Sequence, residues 1–410
     1  MASRSPLNLT RLSWGLALPV LFLIGVGLAT IHATDRDLIR EQRADAELRS
    51  EGPLAAIQAA IGVNTARQVL FLITGVGLML VALVPSYQRF GQLSFIIYAV
   101  AIVLLALLVI DRFVDLPLIP VKRNTRRWIQ VGLGDFAIQP SEFMKPALIL
   151  ALARYLRYRS SYRKWWGLIP PFLLTLVPML LIQFQPDLGT LLMLLPVLFS
   201  MLFVAGARLK HLLTVVVLGG ATLPAFYSYG MAEYQRQRID MVLRQSTTDE
   251  AWHRGPGYQL RQSKIALGTG GLWGVGYAQG AFIERGLLPE EHNDFIFAMV
   301  GHQFGWVGCG LVVLAYGLMV LFGIEVATAT NDPFGRLLAI GVVVMIVMQA
   351  ILNMCMTVGL APITGMTLPF VSYGGSSLWA NFLALGVLLN VAQRRPMLIS
   401  RRPFEHEDDE

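Results

Sequence analysis

Residues 295–322 read FIFAMVGHQFGWVGCGLVVLAYGLMVLF, a run that contains no Asp, Glu, Lys or Arg. A helix needs about 20 predominantly apolar residues to cross the hydrocarbon core of a bilayer, so this stretch predicts a membrane-spanning helix. The whole 410-residue chain has the same character, with 55% hydrophobic and 14% charged residues and a mean hydropathy of +0.58. An ordinary soluble domain carries roughly 25% charged residues. The composition therefore excludes a disordered chain, a soluble nucleic-acid-binding domain and a disulfide-rich scaffold.

The same criterion, applied along the chain, predicts an all-α polytopic membrane protein with ten transmembrane helices. The predicted spans cover residues 13–34, 68–87, 91–110, 142–156, 165–184, 188–206, 211–231, 295–322, 337–359 and 377–393. A loop rich in Pro and Gly separates the last two spans. We expect a single membrane domain over residues 1–410, with residues 232–294 as a large extracytoplasmic loop between spans 7 and 8.

Lys and Arg in the short connections predict the orientation. They are concentrated after spans 2, 4, 6, 8 and 10, at Arg89, residues 154–164, Arg208, Lys210, Arg336 and residues 394–402. Cytoplasmic loops carry such an excess, so both termini are predicted to be cytoplasmic. The outer connection 33–66 mixes acidic and basic residues, and we expect it to form a solvated or interfacial helix.

The other two outer connections carry basic residues on the side that this rule disfavours. Arg126 and Arg127 lie in the connection 111–141, and Lys264 lies in the loop 232–294. Cations kept outside against the trend suggest an anionic ligand there. The alternative is that long loops cross the membrane regardless of their charge.

Polar side chains at the outer edge of the spans are costly in a membrane, and each is therefore a functional candidate. Glu142 and Lys145 lie three residues apart at the start of the fourth span, where they could pair on one helix face. Asp187 directly precedes the sixth span. It could cap that helix, or it could form an ion pair with Lys145 across neighbouring helices and shape a cavity.

Asp294 is the last carboxylate before the run 295–322. It could cap the eighth span, or it could be held at the headgroup level beside a cavity, where partial desolvation would suit it to general-base chemistry. The loop before the tenth span carries a pair of glycines that permit close approach of the backbone. Its hydroxyls, which could cap a helix or bind a ligand, belong to Ser372, Ser376 and Ser377.

Several familiar site patterns are absent from the sequence. The Gly-rich stretch 268–276 lacks the spacing of a dinucleotide fingerprint and the Gly-Lys-Ser/Thr of a phosphate loop, so it predicts a compact turn beside the membrane. The six histidines show no zinc-ligand spacing. Cys309 and Cys355 lie within apolar runs and are predicted to be small buried residues.

Together, the polar clusters resemble the SEDS family (shape, elongation, division and sporulation), the polytopic peptidoglycan polymerases that include RodA and FtsW. The matching stretches, in the family's order, are residues 126–129, 139–145, 185–190, 258–271, 288–297 and 368–377. Within the family, residues 262–271 are most similar to the RodA branch. One departure concerns a pair of glutamates that usually follows the 294–297 motif by about one turn, where this chain has His302 and Gln303.

The resemblance implies polymerisation of lipid II, a disaccharide-pentapeptide on undecaprenyl diphosphate, into glycan strands for cell elongation. Asp294 matches the family's essential aspartate and would take the proton from the acceptor hydroxyl, with inversion at the donor carbon. Basic side chains would stabilise the leaving diphosphate, with a divalent cation (Mg or Mn) as a further aid. The implied substrate-binding residues are Arg126, Arg127, Lys264, Ser372, Ser376 and Ser377.

The resemblance also assigns Lys145 and Asp187, with Glu142 beside them, to a structural ion pair near the cavity. It implies a class B penicillin-binding protein as partner, within the lipids of the bacterial cytoplasmic (inner) membrane, and an active site on the extracytoplasmic side. No nucleic-acid partner is expected. The alternatives are a lipid II flippase, an FtsW-type division polymerase, or a scaffold that only recruits a partner. A transporter should carry ionisable residues near the midplane, whereas the clusters here lie at the outer boundary.

Overall fold

The computed structural model describes residues 13–35, 61–114, 119–120, 126–130, 137–159, 161–245, 252 and 255–394. Its helices are α1 (Trp14–Thr34), α2 (Val63–Leu83), α3 (Tyr87–Ile110), α4 (Pro140–Leu156), α5 (Ile169–Gln183), α6 (Leu188–Ala205), α7 (Leu209–Ala225), α8 (Glu233–Leu243), α9 (Tyr258–Thr269), α10 (Ala281–Glu284), α11 (Ile296–Thr328), α12 (Pro333–Val358) and α13 (Gly375–Gln393). Two short strands, β1 (Ile129–Gln130) and β2 (Ala137–Ile138), pair antiparallel before α4.

In the described part of the chain, nine helices are long and apolar enough to cross a membrane. They coincide with nine of the ten predicted spans. The remaining predicted span, 142–156, corresponds to α4, which has 17 residues. The predicted all-α polytopic fold is thus confirmed, while the number of crossings and the orientation of the termini stay predictions.

One clear error in a predicted boundary concerns α2, which was expected from residue 68 and begins at Val63. Polar residues lower the mean hydropathy of the first turn of α2, but they form hydrogen bonds inside the protein. Asp35 accepts hydrogen bonds from Asn64 Nδ2 at 2.8 Å and from the amide of Thr65 at 2.7 Å. The two ends of the predicted connection 33–66 are therefore joined at Asp35, whereas residues 36–60, most of the expected interfacial helix, lie outside the described residues.

The last two helices form the centre of the bundle. α12 packs against α4, α6, α9 and α11, and α13 packs against α2. The buried share of the most apolar segment is 83% in α13 and 11% in α7, which places α7 at the edge. Asn390 of α13 fixes the turn between α2 and α3, because its Nδ2 donates to Ala82 O at 2.9 Å and its Oδ1 accepts from Tyr87 N at 3.1 Å.

α11 is broken at Gly305, whose φ of +65° and ψ of −164° are not helical. The compact turn predicted for residues 268–276 packs into this break, where Trp306 N donates to Gly271 O at 3.0 Å. A Cβ atom at Gly305 would lie 2.4 Å from Leu272 O. Glycine is therefore required here both by the backbone conformation and by the close approach of the turn.

Candidate functional site

Asp294 lies in a tight turn that leads into α11. The amides of Asn293 and Phe295 donate to the carbonyl of Glu290 at 3.1 and 3.3 Å, and Glu290 has a φ of +55°. α11 begins at Ile296 with Phe295 as its N-cap residue. The structure therefore places Asp294 before the cap position rather than at it, and its side chain is half-buried.

The loop between α12 and α13 holds this turn in place. Ser372 Oγ accepts a hydrogen bond from Leu368 N at 2.7 Å and donates one to Asn293 O at 2.7 Å. Tyr373 N donates to His292 O at 2.9 Å. Ser372 is only 4% exposed. Its buried hydroxyl joins the two loops and so positions the turn before α11, and its predicted substrate role stays a prediction.

Asn353 of α12 also holds this turn in place. Its Nδ2 donates to Asp294 O at 2.9 Å and to Met366 O at 2.6 Å, and the residue is fully buried. Gly365, with a φ of +74°, lies beside the carboxylate, since a Cβ atom built there would be 3.5 Å from Asp294 Oδ2. Sequence reasoning missed Asn353, and its only signal was that it is one of three polar residues, with Gln349 and Thr357, within the predicted span 337–359.

The other two predicted serines also contact protein groups. Ser376 Oγ accepts from Gln139 N at 3.0 Å, and Ser377 Oγ lies 2.7 Å from Thr367 Oγ1. Neither residue caps α13, because Gly374 occupies the N-cap position. Ser377 is buried and Ser376 half-buried, so the hydroxyl of Ser376 has the better access to a ligand and its substrate role stays a prediction.

Glu142 and Lys145 form a buried ion pair on α4. Lys145 Nζ lies 2.7 Å from Glu142 Oε2 and donates to Gln349 Oε1 at 3.0 Å. Gln349 Nε2 in turn donates to Thr367 O at 3.0 Å. Because Gln349 and Asn353 are four residues apart on α12, one helix face holds both the ion pair and the turn that carries the aspartate.

Asp187 is the N-cap residue of α6, which confirms the capping alternative. Its carboxylate accepts from Thr190 N at 3.3 Å, from Ser141 Oγ at 2.8 Å and from Gln139 Nε2 at 3.1 Å. Burial alone would raise the pKa of Asp187, but the charge of Arg127 and these hydrogen bonds together hold it below its ordinary value.

The predicted ion pair between Lys145 and Asp187 is wrong. Lys145 pairs with Glu142, one turn away on the same helix, and Asp187 takes its donors from the start of α4 and from its own helix. A partner three residues away on a helix is already in place, whereas a partner on another helix must be brought to it. The three residues thus belong to two separate clusters.

Arg126 and Arg127 connect the segment before β1 to the ends of α3 and α5. Arg126 Nη1 donates to Asp111 Oδ2 at 2.9 Å, and Arg127 Nε donates to Gln185 O at 2.7 Å. The Nη2 group of Arg127 also contacts Pro186 O. Both guanidinium groups therefore have protein partners, which limits what they can offer to the predicted diphosphate.

Lys264 lies elsewhere on the outer loop. It lines a cavity of about 400 Å³ together with Trp252, Leu260 and Arg261, and Asp294 is not among the residues of that lining. Lys264 Nζ donates to Gln245 Oε1 at 3.0 Å. The predicted substrate role of Lys264 stays a prediction.

Arg238 of α8 is one of the cations of the outer loop. It interacts electrostatically with Arg127, Asp187 and Asp294. Its Nη1 atom is buried, and the described residues offer it no hydrogen-bond partner. Burial, together with the charge of Arg127, lowers the pKa of Arg238. The sequence does not single out Arg238, since neither its spacing nor its charge distinguishes it from the other basic residues of the loop 232–294.

His302 and Gln303 occupy the positions where the family usually has two glutamates. Their side chains attach the Gly-rich turn to α11. His302 Nδ1 lies 2.9 Å from Thr269 Oγ1, and Gln303 Oε1 accepts from Ala278 N at 3.3 Å. Both side chains are buried. Among the described residues, no group of three or more His, Cys, Asp or Glu side chains could hold a metal ion. The Mg or Mn ion implied by the resemblance stays a prediction.

Comparison with known proteins identifies what the chain is similar to. The family model FTSW_RODA_SPOVE, described as "Cell cycle protein", matches residues 56–396. Stage V sporulation protein E of Bacillus subtilis (strain 168) is 37% identical over 335 residues, which cover 80% of this chain and 86% of that protein. Peptidoglycan glycosyltransferase MrdB of Escherichia coli (strain K12) is 35% identical over 279 residues, 68% of this chain and 74% of that protein.

A solved structure shares the same architecture. The structure described as "Structural coordination of polymerization and crosslinking by a peptidoglycan synthase complex" contains a chain that is 27% identical. The match has a TM-score of 0.75 and covers 94% of this chain and 99% of that chain. The similarity therefore extends over nearly the whole membrane domain.

Proposed function

Because the chain belongs to the FtsW/RodA/SpoVE family of cell cycle proteins, we propose that it is a peptidoglycan glycosyltransferase whose catalytic base is Asp294. The observation that carries the assignment of the base is the position of this carboxylate. It is half-buried in a turn before the N-cap of α11, and the turn is fixed by Asn353 and Ser372 through backbone carbonyls. A fixed, partly desolvated carboxylate at the end of a span suits proton transfer at the membrane surface.

The proposed reaction polymerises lipid II. The carboxylate of Asp294 takes the proton of the acceptor sugar's 4-hydroxyl, and that oxygen attacks the anomeric carbon of the donor sugar. The bond from this carbon to the diphosphate oxygen breaks, so the configuration inverts and undecaprenyl diphosphate leaves with the bonding electrons. The half-buried position supports this role, because the carboxylate must be accessible to the hydroxyl while the turn keeps its backbone in place.

The leaving diphosphate requires positive charge beside Asp294. Arg126 and Arg127 are engaged with Asp111 and with the α5–α6 turn, and Lys264 lines the cavity beside Trp252. We propose that Arg126 and Arg127 stabilise the diphosphate mainly through the electrostatic attraction of their positive charges. If a divalent cation takes part, it would neutralise the diphosphate oxygens.

The surroundings of the reaction follow from the family. The protein is a multi-pass membrane protein of the bacterial cell envelope, and we place the site on the extracytoplasmic side of the inner membrane because Lys and Arg are concentrated in the other loops. The structural relative belongs to a complex that couples polymerization to crosslinking, so a class B penicillin-binding protein is the proposed partner. The RodA-like stretch 262–271 favours a role in elongation.

The experiment that tests the base uses the purified protein, its class B partner and labelled lipid II. We expect glycan ladders from the wild type and from Asp332→Asn, since Asp332 caps α12 and asparagine caps a helix as well as aspartate does. Asp294→Asn should give no ladder while its thermal unfolding matches that of the wild type. Ladders from a folded Asp294→Asn variant would reject the assignment of the base.

A further inference from the structure

The side chain of Gln68, near the start of α2, is buried inside the helix bundle. The residue is only 2% exposed. A polar side chain in such a place costs free energy unless it is hydrogen-bonded, whereas an aliphatic side chain carries no such cost. The hydrogen-bond partners of Gln68 therefore indicate its role.

Both ends of the Gln68 amide bond to the backbone of the loop between α12 and α13. Nε2 donates to Ser372 O at 3.1 Å, and Oε1 accepts from Gly374 N at 3.3 Å. One side chain thus satisfies the carbonyl before Tyr373 and the amide after it. Glutamine carries a donor and an acceptor at the end of a single side chain, which this pair of backbone groups requires.

The backbone segment 372–374 that Gln68 bonds also holds the turn before α11. Tyr373 N donates to His292 O at 2.9 Å, and Ser372 Oγ donates to Asn293 O at 2.7 Å. The segment is therefore bonded to α2 through the amide of Gln68 and to the turn that carries the candidate base. Its position determines the position of that turn.

Aromatic packing fixes α2 against this loop. Phe71 lies three residues after Gln68, on the same helix face, and its ring centroid lies 6.0 Å from that of Tyr373. A Cβ atom built at Gly375, the first residue of α13, would lie 2.9 Å from the ring of Phe71. Because α2 contacts the loop this closely, the amide of Gln68 is held within reach of the backbone groups that it bonds.

We propose that Gln68 is a positioning residue for the transfer reaction. It fixes the backbone of residues 372–374, and this segment in turn fixes the turn that places Asp294 at the acceptor hydroxyl. The inference rests on the proposed glycosyltransferase function and extends its machinery to a residue 304 positions away from Ser372 in the sequence. A misplaced catalytic group lowers the rate strongly even where substrate binding is retained.

The first measurement is hydrogen–deuterium exchange of the full-length protein in nanodiscs. Gln68→Met keeps the approximate length of the side chain and loses both hydrogen bonds. Exchange of residues 290–295 and 372–374 should then be at least about 10-fold faster than in the wild type, while exchange within α12 stays unchanged. The matched control is Gln92→Met on α3, whose side chain is exposed and whose loss should leave both segments protected.

The second measurement is the rate of ladder synthesis with the class B partner and labelled lipid II. Gln68→Met should lower kcat at least about 10-fold and leave KM for lipid II within about 2-fold, because the base is misplaced while the groups that bind substrate are not. Gln92→Met should give wild-type values of both constants.

Three results would overturn the proposal. They are unchanged exchange of residues 290–295 in Gln68→Met, an unchanged kcat, and an equal rise of exchange in this turn and in α12, which would mean a general structural role. Where Gln68→Met does not fold, Gln68→Asn carries the test. It keeps an amide but is one methylene shorter, so we expect a smaller rise of exchange in the turn, and no rise would also reject the proposal.

Failure of the proposed function can be told apart from failure of this inference. Ladders from a folded Asp294→Asn variant would reject the base, whatever Gln68 does. The exchange of residues 290–295 requires no catalysis, so an unchanged rate in Gln68→Met would reject the role of Gln68 and leave the base untouched.

Discussion

Replacing Lys145 with methionine should destabilise the protein strongly. The Lys145 and Glu142 side chains are 1% and 11% exposed, with Nζ 2.7 Å from Oε2. At this distance and an effective dielectric constant of about 20, the attraction is about 6 kcal/mol. The variant Lys145→Met would leave a buried carboxylate without its cation, and removal of one partner from a buried pair costs about 3–5 kcal/mol. We therefore expect a loss of that size in the free energy of unfolding.

The assay is equilibrium unfolding by SDS in mixed micelles, followed by circular dichroism. Lys210→Met is the matched control, because Lys210 is exposed and its loss should change the free energy by less than about 0.5 kcal/mol. The double variant Glu142→Gln/Lys145→Met no longer buries a lone charge and should recover more than half of the loss. If Lys145→Met unfolds like Lys210→Met, or the double variant is no more stable than Lys145→Met, the pair does not stabilise the bundle.

Two further substitutions test the residues that support the site. Asn353→Leu leaves the carbonyls of Asp294 and Met366 without their hydrogen-bond donor. The rate of ladder synthesis should therefore fall at least 10-fold and the free energy of unfolding by about 1–3 kcal/mol. A normal kcat in this variant would show that the carbonyl contact does not position the base. Gly305→Ala places a Cβ 2.4 Å from Leu272 O at a φ of +65°, and we expect the SDS unfolding assay to show a loss of at least about 3 kcal/mol. Gly310→Ala in the same helix meets no atom within 4 Å and should be neutral, so equal effects of the two alanines would contradict this account.

Hydropathy predicted the spans well because a bilayer admits mainly apolar side chains over a fixed length. It failed at α2, where Asn64 and Thr65 occupy the first turn of the helix and satisfy Asp35 inside the protein. A window average cannot distinguish polar residues that face a buried carboxylate from polar residues that end a span. The same limit applies wherever a helix end lies against another part of the protein.

The candidate site was predictable only in part. Asp294 stands out because it is the last carboxylate before a long uncharged run. Asn353 could not be recognised, since its role depends on carbonyls contributed by two other segments of the chain. Arg238 could not be recognised either, because what sets it apart is a missing hydrogen bond. The error over Lys145 has a similar origin, since sequence alone does not rank a partner on the same helix above one on a neighbouring helix.

The position of Asp294 and its chemistry depend on different atoms. Asn353 bonds the carbonyl of Asp294, and Ser372 bonds the carbonyl of Asn293, so the described hydrogen bonds that locate the turn are made to the backbone. Exchanging the carboxylate for an amide leaves these bonds in place and removes the proton acceptor. Removing the amide of Asn353 keeps the acceptor and loosens its position. If Asp294 is the catalytic base, the first variant should therefore lose activity and keep its stability, and the second variant should lose both. A purely structural aspartate would not produce this contrast.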